Sequence, residues 1–201
     1  MKKVIIYIDG ENFLHRAEES LKVKRLIKKK EEIVSFKLRN LFENIFNDYK
    51  DVEIRYYGTK IRLRDIDDKN VLKHAQAMVE SQRRLKRNLV NQNVKFIVAG
   101  SLRVRETICY KCKKPSLVFK EKGVDVRMAV DIVMESGNNI VQAVVSSDSD
   151  LLPALNLARK KSRLIYVHHA ERPNFAMIKS TQETRVFTAN QLANAYKKVS
   201  K

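Results

Sequence analysis

Apolar residues arrive in short, nearly unbroken runs, each followed by a longer stretch in which they recur at three- and four-residue steps. Val4–Ile8 is the first run and has no polar interruption, the pattern of a central strand buried on both faces. Val52–Gly58 alternates and stops at glycine, and Val94–Ala99, Ile140–Val145 and Leu164–Val167 complete five predicted strands. Helical periodicity predicts helices over Phe13–Leu26, about Ser35–Phe46, Lys69–Val90, from Lys122 to near Gly137-Asn138, and over Leu151–Arg159. Arg172–Ile178 and Ala189–Lys198 read as final helices, with Arg185–Phe187 extended between them. Strands alternating with helices predict an α/β fold with a mainly parallel central sheet.

One stretch breaks the rhythm. Leu102–Arg105 and Ser116–Phe119 flank Cys109-Tyr110-Lys111-Cys112 and Pro115, which predicts a hairpin insertion over 101–120 with the cysteines at its tip. The pair resembles half of a zinc knuckle, and a tetrahedral zinc needs two more ligands. His15, His74, His168 or His169 could supply them, or a second subunit in a homodimer, but a reduced, metal-free tip is the simpler reading. The chain of 201 residues shows no repeat, low-complexity tract or linker, so 1–201 reads as one domain. Met1-Lys2-Lys3 leads straight into a strand and no apolar stretch has membrane-span length, which predicts a cytoplasmic protein with no membrane partner.

Charge narrows the partners. Lys and Arg number 41 against 23 Asp and Glu, a formal +18, and so basic a protein most often meets nucleic acid. Lys28, Lys29 and Lys30, and Arg83, Arg84 and Arg87 on the outer surface of the long helix, form the candidate phosphate-binding rim; the bland alternative is a solvated lysine-rich surface.

The candidate chemistry sits where strands hand over to helices. The Ile140–Val145 run ends in Ser146-Ser147-Asp148-Ser149-Asp150, and the Val4–Ile8 run ends in Asp9-Gly10-Glu11-Asn12. In an open parallel sheet both positions lie at the carboxyl edge, where ligands bind. Asp9 or Asn12 could equally serve as a helix cap. Asp125 falls near a helix start, where an anion is favourable in any case. Asp131 lies inside an apolar helix and needs a partner: a metal-bound water, an arginine or a backbone donor. Adjacent parallel strands run about 4.8 Å apart, so acids at their ends can share one cation. A carboxylate set with few neutral ligands suits Mg²⁺ or Mn²⁺. Beneath a basic surface, such a site points to phosphodiester chemistry, the metal activating a water and steadying the leaving oxygen. His168 and His169 are left without a role.

Asp9-Gly10-Glu11-Asn12, Lys122-Gly123-Val124-Asp125 with Asp131, and Ser147-Asp148-Ser149-Asp150-Leu151-Leu152-Pro153 together resemble the NYN domain of the PIN-like nuclease superfamily, which includes the LabA-like bacterial proteins. The likeness covers roughly Lys3 to Val167. It implies a PIN-like three-layer α/β/α sandwich and a metal-dependent endoribonuclease. By motif position, Asp9, Asp125, Asp148 and Asp150 would bind the metal and, with Asn12, form the catalytic set. Asn12 would orient Asp9 or a substrate phosphate, and Asp131 would support the site. Ser147 departs from the glycine common at that position, and the 101–120 insertion is not part of the minimal domain. Two rivals share these residues: a non-catalytic RNA-binding regulatory module, and a general nuclease acting on DNA as well as RNA. No P-loop pattern is present, and Asp9-Gly10 lacks the paired acids of an aspartyl-phosphate phosphatase.

Overall fold

A computed structural model describes residues 3–62, 69–108, 110–111 and 115–196. Seven strands form one sheet: β1 (Lys3–Asp9), β2 (Val52–Arg62), β3 (Lys95–Ile108), β4 (Pro115–Lys122), β5 (Ile140–Val145), β6 (Arg163–His169) and β7 (Glu183–Phe187). They lie in the order β4-β3-β2-β1-β5-β6-β7, all neighbours parallel except the β3–β4 pair. The apolar strand β1 takes the middle, where both of its faces are covered. Val4, Ile6 and Ile8 enter one core, and Ile5 and Tyr7 enter the other.

Helices α1 (Gly10–Val23), α2 (Leu38–Ile45), α3 (Lys69–Asn91) and α7 (Ala189–Ala195) close the first core with Phe13, Leu41, Leu85 and Leu192. Helices α4 (Val124–Met134), α5 (Leu152–Ala158) and α6 (Phe175–Ser180) close the second with Met128, Leu155 and Met177. The result is the three-layer α/β/α sandwich that the sequence predicts.

Several boundaries differ from the periodic pattern for tertiary reasons. β2 and β3 run on to Arg62 and Ile108, each pairing beyond an irregularity at Gly58/Thr59, and β3 then pairs with β4 from Ser101↔Lys122 to Ile108↔Pro115. β3 and β4 thus pair antiparallel across the stretch predicted as a hairpin, while Cys109 and Cys112, with their zinc reading, lie outside the described residues. The outermost residues of the predicted last helix lie outside them too. Lys30–Ser35 forms a 3-10 segment that buries Ile33 in the first core. β6 extends through both histidines, which are buried strand residues: the His168 ring stacks 4.9 Å from Tyr166, and His169 Nε2 lies 3.2 Å from the Ser20 hydroxyl. Burial lowers the proton affinity of His169.

Candidate active site

Asp9 is the last residue of β1 and is only 6% exposed. Its Oδ1 accepts the backbone N–H of Asn12 at 3.1 Å, so it caps α1, and its Oδ2 accepts the Ser146 hydroxyl at 2.9 Å. The cap and the site are the same residue. Gly10 follows because nothing larger fits: a Cβ there would lie 2.4 Å from the Tyr57 carbonyl oxygen and 2.4 Å from the Tyr56 ring. The Tyr56 hydroxyl donates to the Gly10 carbonyl at 2.9 Å and fixes the turn.

The β5 end is stitched to this turn. Ser146 Oγ, besides donating to Asp9, accepts the Asp148 N–H at 3.1 Å, and the Asp148 carboxylate accepts the Asp150 N–H at 2.8 Å. The Asn12 side-chain amide donates to Ser147 Oγ at 2.9 Å, and its carbonyl accepts the Ser147 N–H at 3.3 Å. Ser147, standing where glycine is common, thus uses its hydroxyl to hold Asn12. Asn174, which caps α6, donates to the Ser147 carbonyl at 2.9 Å and ties the loop from the other side. Asp125 arrives in the first turn of α4, whose N-cap Gly123 has a left-handed φ of 92°.

Electrostatics join these acids. Burial raises the proton affinity of Asp9 first; the hydrogen bonds from Asn12 and Ser146 oppose that, and the charges of Asp125 and Asp148 raise it further. Burial also raises Asp125, followed by the charges of Asp148 and Asp150. Glu121, on β4, is pushed up to about 7 by burial and then by Glu11, Asp9 and Asp125, with Lys30 opposing. Among the described residues, no ion pair reaches Asp9, Asp125, Asp148 or Asp150. Asp9, Asn12, Glu121 and Asp125 border a concavity of about 470 Å³.

Asp131 has two partners, and neither belongs to this cluster. The Tyr57 hydroxyl donates to it at 2.9 Å and Arg127 Nε donates at 2.9 Å, so an arginine answers its need for a partner. Of the basic rim, Lys28 and Lys29 are exposed, while Lys30 is half-buried and ion-paired with Glu11. Arg83, Arg84 and Arg87 are exposed on α3, with Arg87 3.6 Å from Glu80.

Among the described residues no group of three His, Cys, Asp or Glu side chains stands ready to hold one ion jointly. The donor chemistry still suits a hard divalent cation, because all donors are oxygens and no ion pair reaches them among the described residues. Mg²⁺ enters such sites through one or two carboxylates and keeps several of its waters, so a three-carboxylate cage is not required.

The NYN domain family matches residues 3–189. The chain belongs to the NYN domain family. Membership in this branch of the PIN-like superfamily supports a nuclease-type function in general and an association with RNA. A crystal structure of a protein of unknown function from Vibrio parahaemolyticus is similar to this NYN domain in fold, with a TM-score of 0.58 over 92% of this chain and 93% of that one. The two share 13% identity, and the likeness is one of fold alone. No curated protein matches the sequence. Among the described residues no helix is long and apolar enough to cross a membrane.

Sequence reasoning missed three contributors to this NYN site. Ser146 was read only as one of the small hydroxyl residues after a strand, Asn174 as part of a helix, and Glu121, just beyond the predicted 101–120 hairpin, was given no role. For Ser146 a signal existed, a small hydroxyl residue two positions before a carboxylate at a sheet edge. Glu121 had none, because only the β3–β4 register places it opposite Leu102 and beside the acids.

Proposed function

We propose that this NYN domain is a cytoplasmic, metal-dependent endoribonuclease that hydrolyses RNA phosphodiester bonds, with Mg²⁺ or Mn²⁺ held by Asp9, Asp125, Asp148 and Asp150. One observation carries the reading: the charges of Asp125 and Asp148 raise the proton affinity of Asp9, and those of Asp148 and Asp150 raise that of Asp125, with no cation paired to any of these acids among the described residues. Clustered like charges cost stability unless something neutralises them. A bound divalent cation would supply that charge, lower the pKa of a water and stabilise the leaving oxygen.

The chain's own residues do the positioning. Ser146 and the Asn12 N–H hold the Asp9 carboxylate in one orientation, and the Asn12–Ser147 pair locks the two loops together. Lys28, Lys29, Arg83, Arg84 and Arg87 hold the phosphate backbone, which makes binding fall steeply with salt.

A second reading has its own support. Asp9 caps α1 and Asp148 accepts the Asp150 N–H, structural uses that equally suit a non-catalytic RNA-binding module that retains the acids. Cleavage of a labelled RNA and its DNA counterpart in Mn²⁺, Mg²⁺ or EDTA, comparing wild type with Asp148→Asn, separates the readings. Metal-dependent RNA cutting that a folded Asp148→Asn lacks supports the endoribonuclease. Equal cutting of DNA makes it a general nuclease, and binding without turnover makes it a binding module.

A further inference from the structure

Beside the acidic concavity lies a second cavity, of about 350 Å³, enclosed by α1, the 3-10 segment, α3, β2 and β3. Its volume is within the range of small-molecule pockets, large enough for a planar heterocycle. Most of its wall is apolar or aromatic. Leu14, Met78 and Leu85 contribute aliphatic surface, and Tyr56 and Phe96 contribute stacked rings 5.5 Å apart. Three polar side chains also line it: Thr59, Ser81 and Gln82. None of them hydrogen-bonds to another described residue, although Thr59 is only 7% exposed. Unpartnered polar groups on an apolar wall are the usual arrangement where a ligand supplies the missing partners.

The two cavities share a border. Glu11 and Glu121 line both, so whatever occupies the apolar cavity is adjacent to a molecule crossing the acids. Two cations lie close to it: Lys30, ion-paired with Glu11, is in the wall, and Lys86 sits 5.7 Å from the Phe96 ring. Aromatic walls with a few groups that both donate and accept are how proteins take an unstacked base from a single strand.

We propose that this cavity receives one unstacked nucleobase of the single-stranded RNA whose backbone crosses the neighbouring acidic site. This rests on the nuclease reading for the path of the strand. Hydroxyls and an amide can each present a donor or an acceptor, so the cavity admits more than one base. Glu121, with its proton affinity near neutrality, can offer either as well.

The test walks 2-aminopurine along a single-stranded RNA bound in EDTA, with an abasic residue substituted at each position in parallel. The expected result is fluorescence quenching at one position, where the abasic change also weakens binding about tenfold, the scale of one lost base–aromatic contact. Ser81→Trp fills the cavity and removes both effects; the abasic arm alters only the RNA and is immune to misfolding of that variant. Binding with no position-dependent signal overturns the proposal, as does a complete absence of binding. An equal response to free 2-aminopurine ribonucleotide overturns the strand assignment and makes the cavity a mononucleotide site. Metal-dependent cutting without the positional signal sinks the base pocket alone. A positional signal without any cutting leaves the pocket standing and sinks the nuclease.

Discussion

At the amino edge of the sheet Glu53 receives Lys3 at 2.6 Å, Arg55 at 2.7 Å and Lys95 at 2.8 Å, and Arg55 goes on to Glu135 at 2.6 Å. At the carboxyl edge of the same strands, Asp9, Asp125 and Asp148 act on one another with no ion pair among the described residues. Burial works to raise Glu53, yet the hydrogen bonds from Lys3, Lys95 and Arg55 hold its carboxyl down at about 2. At the other edge burial and like charges act together, and Asp9, Asp125 and Glu121 all rise. The amino edge uses the surplus of Lys and Arg to neutralise its acids, whereas at the carboxyl edge no ion pair reaches Asp9, Asp125, Asp148 or Asp150 among the described residues, a charge that a cation from outside would balance under the proposed function.

The largest effect should come from removing an acid at the carboxyl edge. Asp9→Asn or Asp148→Asn is expected to lower metal-dependent RNA cleavage about 10³-fold, the scale of one lost electrostatic contribution in a transition state. Single-turnover assays on the folded variants check it. Cleavage within tenfold of wild type would erase the distinction between the two edges.

The amino edge should answer in stability instead. Glu53→Ala leaves Arg55 half-buried and short of a partner, and should cost about 3 kcal/mol in denaturant melts. Cleavage by the folded fraction should not change. The Glu53 contribution is fully present above the ordinary glutamate range and is lost as pH falls through about 2.

Glu121 sharpens the contrast with a smaller effect of opposite sign. Its folded-state pKa is raised, so it costs stability above about 7, and that cost is relieved as pH falls toward the ordinary glutamate value of 4.5. Glu121→Gln should therefore stabilise the protein at pH 8 by about 1–2 kcal/mol, after solvent screening, and change little at pH 5. Thermal melts at the two pH values read this directly. Stabilisation at pH 5 but not at pH 8 would reverse the sign and refute it.

Much of this contrast was legible in the chain, though unevenly. The unbroken Val4–Ile8 run located the central strand, and its end located Asp9, because strand burial is written in local hydrophobicity. Asp148 followed from the same logic at the end of β5, whereas Asp125, at the start of α4, joined the metal-binding set through the resemblance to the NYN domain. The amino-edge network was not foreseen, since Glu53 and Arg55 look like the polar positions of any alternating strand until Glu135 arrives from α4. The apolar cavity was hidden for a similar reason: Tyr56, Ser81 and Phe96 belong to separate elements, and only the packing of α3 over β2 and β3 brings them together. The α1 boundary was misplaced by three residues, because Asp9 serves as strand end, helix cap and site residue at once.

The most direct test is the thermal stability of wild type and Asp125→Asn, each in EDTA and in Mn²⁺. Asp125 has no ion pair among the described residues, and its charge adds to that of Asp9, so neutralising it should make the metal-free protein melt higher. Mn²⁺ at a hundredfold excess over its Kd should stabilise wild type by about 2.7 kcal/mol and the variant much less. If instead Asp125→Asn melts lower in EDTA and Mn²⁺ moves neither protein, the acids at the carboxyl edge are structural, and the account of a cation site fails.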